Sequence, residues 1–553
     1  MISKFSIFRA LTCFCFITVC ANPVAYAQGV DDSVKWGNWL KWGDQRNGTY
    51  RNPVLPADYS DPDCIRVNDD YYAISSTFQF SPGVVILHSN DLVNWSVLGH
   101  AVNNLNQLSP EMNWDKMNRY GKGIWAGAIR YHHGKFWVYF GTPDEGYFMT
   151  TARDPAGPWE PLHQVLSSPG WDDCCPFWDD DGQGYLIGTN YADDYKIHLF
   201  KLTADGRDIV KASDQVIHQS PGSEANKLYK INGWYYHFFS EVKPEGRVVM
   251  MERSKNIFGP YIESKQLNHA EKQFNEPNQG GLLQTQDGKW YFLTHHGSGD
   301  WSGRVLSLLP VTWANGWPVI GKPGADGIGN MVWAGKMPVK DTAKVILQTD
   351  DEFEESQLPP QWEWNYQPKA DKWSLSQKPG WLSLHAFKPL RPDDLLKAGN
   401  TLTQRCFRTP YNSVTIKIEI SRMTDGEKAG LCHFTNPHFA QIGINYSRKR
   451  RCLEFKNEKV RLSGPEIKGR NIWLRSTWGL DGLSQFYYSL DGYIFKRFGP
   501  VYQLTWGSYR GDRIGIYNYN DRENKGCINV DYFHYEIDEQ GSLPGPGRNK
   551  GGL

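Results

Sequence analysis

Asn68-Asp69-Asp70-Tyr71-Tyr72, His133-Gly134-Lys135-Phe136-Trp137, Asp181-Gly182-Gln183-Gly184-Tyr185, Asn232-Gly233-Trp234-Tyr235-Tyr236 and Asp287-Gly288-Lys289-Trp290-Tyr291 are five copies of one pattern. Each is a tight polar turn running into an aromatic strand, the sequence form of a β-hairpin. The copies recur at a spacing of roughly 50 residues, the range of propeller blades. About eight or nine residues before the turn glycine of each copy (Asp69 in the first) stand Asp61, Trp125, Asp173, Glu224 and Gln279. Equivalent hairpins put these five at equivalent points around one central channel. Three carboxylates, an indole and an amide meeting at its mouth suit the hydrolysis of a sugar linkage.

The rest of the chain agrees with an all-β reading. Outer-strand signatures lie between the hairpins: Ser89-Asn90-Asp91-Leu92-Val93-Asn94-Trp95, Gly157-Pro158-Trp159 and Gly259-Pro260-Tyr261. No long helical periodicity occurs, and strands bounded by Gly, Pro, Asn and Asp dominate. The spacing predicts a five-bladed β-propeller over residues 28–345, whose blades end near Trp317-Pro318-Val319-Ile320-Gly321. The Gly-rich stretch from 321 to about 346 reads as a linker. Alternating strands such as Val414-Thr415-Ile416-Lys417-Ile418-Glu419-Ile420 and Gln485-Phe486-Tyr487-Tyr488-Ser489, with a turn at Asp491-Gly492, predict a jelly-roll-like β-sandwich over 347–540. The tail 541–553 is Gly- and Pro-rich and reads as disordered.

Composition removes several function classes. The 553 residues include 60 basic and 60 acidic side chains, which leaves no net charge to recruit nucleic acid or an anionic membrane. Aromatics make up 14% of the chain, a supply that propeller and sandwich cores use and on which sugar rings also stack. Lys4 and Arg9 precede an apolar run from Ala10 to Val19, and Ala25-Tyr26-Ala27 is a small-x-small cleavage site before Gln28. Residues 1–27 therefore read as an export signal, and the run is too short for a membrane span. The expected location is periplasmic or secreted. A lipid anchor on Cys20 is the lesser alternative, because Thr18-Val19 makes a poor lipobox. Seven cysteines remain after the signal, an odd number without regular spacing, which argues against a disulfide framework. Adjacent Cys174-Cys175 reads as buried strand packing.

Glycoside hydrolysis needs two carboxyl groups in opposite protonation states, and a third carboxylate nearby can raise the pKa of the acid. At this point the residues resemble a family. Asn52-Pro53-Val54-Leu55-Pro56-Ala57-Asp58-Tyr59-Ser60-Asp61-Pro62-Asp63, and 75–84 ending Phe80-Ser81-Pro82-Gly83-Val84, resemble the opening of glycoside hydrolase family 43. Gly123-Ile124-Trp125-Ala126 is similar to its second blade, although Gly127 stands where proline is usual. Asp173-Cys174-Cys175-Pro176-Phe177-Trp178, Ser223-Glu224-Ala225 through Leu228-Tyr229-Lys230, and Gly303-Arg304 with Pro310-Val311-Thr312-Trp313 resemble the third, fourth and fifth. The resemblance implies an inverting, exo-acting enzyme for plant-wall pentosyl groups, with Asp61 as general base, Glu224 as general acid and Asp173 as the group that tunes and orients Glu224. It also implies that Phe78 and Trp125 wall the sugar pocket and that Arg304 contacts substrate. Gln279 stands where many members have a His close to the bound sugar and the channel centre. No cofactor is implied as required, and a structural calcium in the channel is compatible with the family. The stretch Asn275-Glu276-Pro277-Asn278-Gln279-Gly280-Gly281 resembles a branch of arabinofuranosidases, so the expected substrate is a terminal α-L-arabinofuranosyl group on an oligosaccharide or polysaccharide. β-D-Xylosyl units are the alternative, and a carbohydrate-binding propeller without catalysis is the rival from another class.

Other residues have plainer readings. Asp179, Asp180 and Asp181 read as a turn, and Arg153-Asp154-Pro155 as an outer-strand turn. His295 and His296 read as substrate contacts or as loop packing. Asp350-Asp351-Glu352-Phe353 and Asp531-Tyr532-Phe533-His534-Tyr535 are expected to pair as first and last strands of the sandwich. A rigid, apolar interface is expected to bring a sandwich loop to the rim of the propeller mouth.

Overall fold

The computed structural model describes residues 40–270, 277–296, 300–339 and 345–538. The export signal with Cys20, the pair Asn275-Glu276 and the tail after 540 lie outside the described residues, as does the side chain of His296. Strands and short 3-10 turns make up all the regular structure described. No helix among the described residues is long and apolar enough to cross a membrane.

Five four-stranded antiparallel sheets form the blades. Blade I is Asp63–Val67, Asp70–Ser75, Gly83–Ser89 and Ser96–Val102. Blade II is Gly127–His132, Lys135–Thr142, Gly146–Ala152 and His163–Ser167. Blade III is Trp171–Trp178, Gly184–Asn190, Lys196–Leu202 and Ile209–Gln219. Blade IV is Glu224–Ile231, Trp234–Lys243, Gly246–Ser254 and Glu263–Gln266. Blade V is Gly280–Gln284, Trp290–His296, Val305–Ala314 and Trp317–Ile320. Every hairpin read from the sequence joins the first two strands of a blade. In two of them both turn residues take positive φ, at His133-Gly134 (49° and 73°) and Asn232-Gly233 (51° and 73°). That is the turn geometry matching the right-handed twist of paired strands, and glycine adopts it without a Cβ penalty.

The first strands line the channel and bond to their neighbours around the ring. Ile129 N–H donates to Asp63 Oδ2, Arg130 reaches Cys175 Sγ, Ala225 N–H donates to Asp173 Oδ2, Leu282 N–H donates to Tyr229 OH, and Cys64 Sγ donates to Gly281 O. The ring is latched by the segment before blade I. Val54 N–H donates to Leu306 O, Tyr59 N–H donates to Arg304 O, and Leu55 bridges Leu306 on the free edge of blade V. The segment read as a linker also pairs back: Ala334–Lys336 adds to Thr49–Arg51, and Lys322–Pro323 pairs Gly329–Asn330.

Two large antiparallel sheets form the sandwich. Its first and last strands meet as expected, with Asp351 and Phe533 exchanging backbone hydrogen bonds. One of its sheets continues into the propeller, where Trp364 pairs Ser81 and Asn365 pairs Phe80. The interface departs from the apolar expectation. Beside an apolar cluster around Phe80, Leu395 and Phe434, it holds fully buried charges. Arg510 pairs Asp58 at 3.0 Å, and Glu363 pairs both Arg405 (2.7 Å) and Arg513 (2.9 Å). Ionic groups survive there because every charge faces an opposite one. The seven cysteines after the export signal are free, and Cys174 and Cys175 are buried in blade III.

Candidate active site

All five ring positions stand at the start of a channel-lining strand. Asp61 and Trp125 precede blades I and II, Asp173 and Glu224 open the first strands of blades III and IV, and Gln279 precedes Gly280 of blade V. Local backbone irregularities aim the carboxylates. Asp61 and Asp173 have φ of 55° and 51°, in the left-handed region that costs an ordinary residue energy. Register shifts fall between Asp172 and Cys175 and between Glu224 and Lys227, where Ala225 has φ of 68°. Such bulges break the two-residue alternation and turn a side chain toward a site.

Asp61 is nearly buried. Its Oδ1 accepts from Arg304 NH1 at 2.7 Å, and its backbone N–H donates to His295 Nδ1 at 2.7 Å. An Nδ1 that accepts is unprotonated. Burial and the nearby Arg304 guanidinium hold the His295 pKa well below its usual value, so the ring is neutral. Of the two sequence readings of His295, it is thus part of the packing that fixes Asp61.

Asp173 accepts from Ala225 N–H at 2.6 Å and from Gln279 Nε2 at 2.5 Å. Burial raises its pKa, opposed first by the charge of Lys227. Glu224 has its pKa pushed up to about 7, mainly by burial; Arg247 opposes the rise, and the charges of Asp173 and Asp61 add to it. Arg247 NH1 lies 3.2 Å from Glu224 Oε1. A carboxyl poised near neutrality beside two others suits general-acid work.

The walls are aromatic and come from both domains. Tyr509, on the sandwich loop 505–511, stacks on Phe78 with centroids 6.5 Å apart and meets Trp125 edge-on at 6.0 Å. Trp125 also packs against Tyr191 at 6.0 Å. Arg304 lies 5.8 Å from the Trp506 ring and 5.9 Å from that of Tyr509. Phe78 itself is buried between Tyr509 and Arg510, so it backs the wall while Tyr509, half exposed, presents the surface. All seven residues singled out in the sequence thus lie around one mouth. Arg247, Trp506 and Tyr509 were not legible there: Arg247 belongs to the second hairpin of its blade, and the other two lie in the sandwich, far beyond the last blade-V strand, with no local motif to mark them. Asp179 is held by Lys230 and Tyr235 in a turn away from the site, as read.

The chain matches two family models, "Glycosyl hydrolases family 43" over residues 50–318 and "Beta xylosidase C-terminal Concanavalin A-like domain" over residues 350–536. It is 34% identical to a beta-xylosidase of Formosa agariphila over 90% of this chain and 92% of that protein. It is 31% identical to a non-reducing end alpha-L-arabinofuranosidase of Bacteroides ovatus, over 63% of this chain and 67% of that one. A solved bifunctional GH43-CE protein of Bacteroides eggerthii superposes with a TM-score of 0.79 at 29% identity, covering 90% of this chain and 64% of that longer one. Propeller and fused sandwich are both matched, the relative of Formosa agariphila along nearly the whole chain, which therefore belongs to the glycosyl hydrolases of family 43.

Proposed function

We propose that this glycoside hydrolase is an exo-acting, inverting β-D-xylosidase that removes terminal xylosyl units from oligosaccharides. Asp61 acts as general base, Glu224 as general acid, and Asp173 as the group that sets the charge around Glu224. The observation that carries the reaction type is the gathering of Asp61, Asp173 and Glu224 at the heads of the first strands of three blades, close enough for the charges of Asp173 and Asp61 to raise the Glu224 pKa. A water between sugar and Asp61 gives its proton to Asp61 Oδ2 as its oxygen attacks the anomeric carbon. Glu224 passes its own proton to the departing glycosidic oxygen. The sugar leaves with inverted configuration, and proton exchange with solvent restores both groups. Arg304 holds Asp61 Oδ1, leaving the other oxygen for the water.

For the sugar, the xylosyl reading is supported over the arabinosyl one that residues 275–281 suggested. The Formosa agariphila relative, matched over 92% of its length, is a beta-xylosidase, and the sandwich matches a model described for beta-xylosidases. The arabinofuranosyl reading is the second, supported by the Bacteroides ovatus relative. Comparing kcat/KM on nitrophenyl β-D-xylopyranoside and α-L-arabinofuranoside decides between them. Preference for the arabinoside overturns the xylosidase reading, and turnover of neither favours the carbohydrate-binding rival.

A calcium ion in the channel would have to share Asp173 with a cation of the protein itself. Lys227, buried on the first strand of blade IV, already brings a positive charge beside Asp173, and Gln279 turns its amide nitrogen toward the same carboxylate. No group of three His, Cys, Asp or Glu ligands lies at the channel among the described residues. The hydrolysis proposed needs no cofactor.

A further inference from the structure

Far from the carboxylate ring in sequence, the sandwich core gathers three metal-ligating side chains that the hydrolysis does not use. Cys406 follows the strand Leu402–Arg405, His433 lies on Glu427–Thr435, and Asp512 precedes Arg513–Asn520. These three strands are neighbours in one sheet, so the residues converge although more than a hundred positions separate the first from the last. All three are buried. Cys406 Sγ lies 3.6 Å from His433 Nδ1, and Asp512 Oδ1 lies 3.5 Å from the same nitrogen. The three ligand atoms are all within 4.8 Å of one another, the one such group among the described residues.

Ordinary hydrogen bonding leaves this cluster incomplete. The other ring nitrogen of His433, Nε2, lies 2.8 Å from Ser476 Oγ, itself 2.9 Å from Ser484 Oγ. With the Nε2 proton given to Ser476, the Nδ1 lone pair faces the cluster, the arrangement by which an outer partner orients a metal-binding histidine. That one nitrogen cannot serve both neighbours. Accepting the Cys406 thiol leaves Asp512 Oδ1 without a donor, and donating to Asp512 leaves the thiol without an acceptor. Asp512 Oδ2 is satisfied by Thr505 N–H at 3.0 Å and Tyr502 OH at 3.3 Å. Oδ1 is buried, and its contact with the shared His433 Nδ1, at 3.5 Å, falls short of a well-formed hydrogen bond. A poorly paired buried carboxylate oxygen is costly, and a cation at the convergence point removes that cost.

The separations also suit an ion. Tetrahedral zinc, with bonds of about 2.0 Å to nitrogen and oxygen and about 2.3 Å to sulfur, sets its ligand atoms about 3.3–3.6 Å apart. A thiolate with an imidazole selects zinc over the hard cations calcium and magnesium. We propose that Cys406, His433 and Asp512 bind one zinc ion in the sandwich, a water completing four-coordination. On binding, the thiol proton leaves to solvent, and thiolate and carboxylate together balance the ion's two positive charges. Asp512 closes the loop that carries Tyr509 and Arg510, so the ion braces the sandwich's contribution to the pocket wall from behind.

The test uses tag-free, full-length enzyme incubated with zinc chloride, dialysed into metal-free buffer and analysed by plasma mass spectrometry. About one zinc per chain is expected, and cobalt(II) in its place should show a thiolate-to-cobalt charge-transfer band in the near ultraviolet. Cys406→Ser should abolish that band and lower the zinc content about tenfold, while Cys452→Ser, at a thiol outside the cluster, should change neither. Zinc below about 0.1 per chain in the unaltered enzyme overturns the site, as does a cobalt complex without the thiolate band. Both readings come from the unaltered protein, so a poorly folding variant does not blunt them.

Discussion

Arg510 of the sandwich and Asp58 of the propeller form a 3.0 Å ion pair with no solvent exposure, three residues before Asp61. The same Asp58 carboxylate accepts from Arg304 N–H, Ser60 Oγ and Gly511 N–H. One buried carboxylate therefore joins the sandwich loop, the base-bearing segment and the arginine that grips the base.

Breaking this pair should cost stability and activity together. Arg510→Met strands Asp58 in a dry interface and should destabilise the enzyme by about 3–5 kcal/mol, read from denaturant melts. Adding Asp58→Asn should cost less than the sum of the single changes, because one uncompensated charge is then gone. Additive losses would mean that the two residues do not act as a pair.

Dependence of the propeller on its partner domain should be visible on truncation. Residues 28–345 alone leave the Phe80–Ser81 edge unpaired and Asp58 without Arg510. An exposed strand edge beside an uncovered apolar cluster invites aggregation. The fragment is expected to be insoluble, or soluble with a lowered melting temperature and a weakened preference for terminal sugars. A soluble fragment as stable and as selective as the full chain would show that the sandwich neither supports nor shapes the site.

Alkaline pH should silence the acid. Glu224 must hold its proton to serve the leaving group, so kcat/KM should fall as pH rises through about 7. Asp173→Asn removes a negative charge that raises the Glu224 pKa, so the alkaline limb should move to lower pH; an unmoved limb would remove Asp173 from that role. Stability follows the same sign. The folded pKa lies above the ordinary glutamate value of 4.5, so the folded state binds more protons between 4.5 and about 7 and this contribution is lost as pH rises across that window.

Leaving-group chemistry and anomer should separate the two catalytic carboxyls. Asp61→Asn should abolish turnover of every glycoside, because no group then takes the proton of the attacking water. Glu224→Gln should spare activated nitrophenyl substrates relative to natural xylosides, whose poor leaving groups need the proton. Equal slowing of both would exclude Glu224 as the acid. Proton NMR of the first-formed sugar should show the inverted anomer, and a retained one would exclude Asp61 as base.

Tyr509 should contribute binding more than chemistry. Tyr509→Ala removes the exposed face of a stack with Phe78 and should raise KM for nitrophenyl xyloside about tenfold, with kcat within about twofold. An unchanged KM would place the bound sugar away from the sandwich loop.

The propeller and its ring of five residues were legible from the chain alone, because they are written in local repeats. A polar turn with positive φ followed by an aromatic strand recurs once per blade, and an equal offset from each turn lands on Asp61, Trp125, Asp173, Glu224 and Gln279. Closure of a ring then makes equal offsets into one site, with no long-range information required. The sandwich was legible as a fold for the same reason of strand alternation, and so was the meeting of its first and last strands. What only the tertiary structure decided is what faces those residues across the domain boundary. His295, Tyr509 and the Asp58–Arg510 pair act through contacts between segments distant along the chain, Arg247 reaches Glu224 across its own blade, and no periodicity records such contacts. The Glu224 pKa is decided in the same way: burial and neighbouring charges set it, and both exist only after the ring has closed.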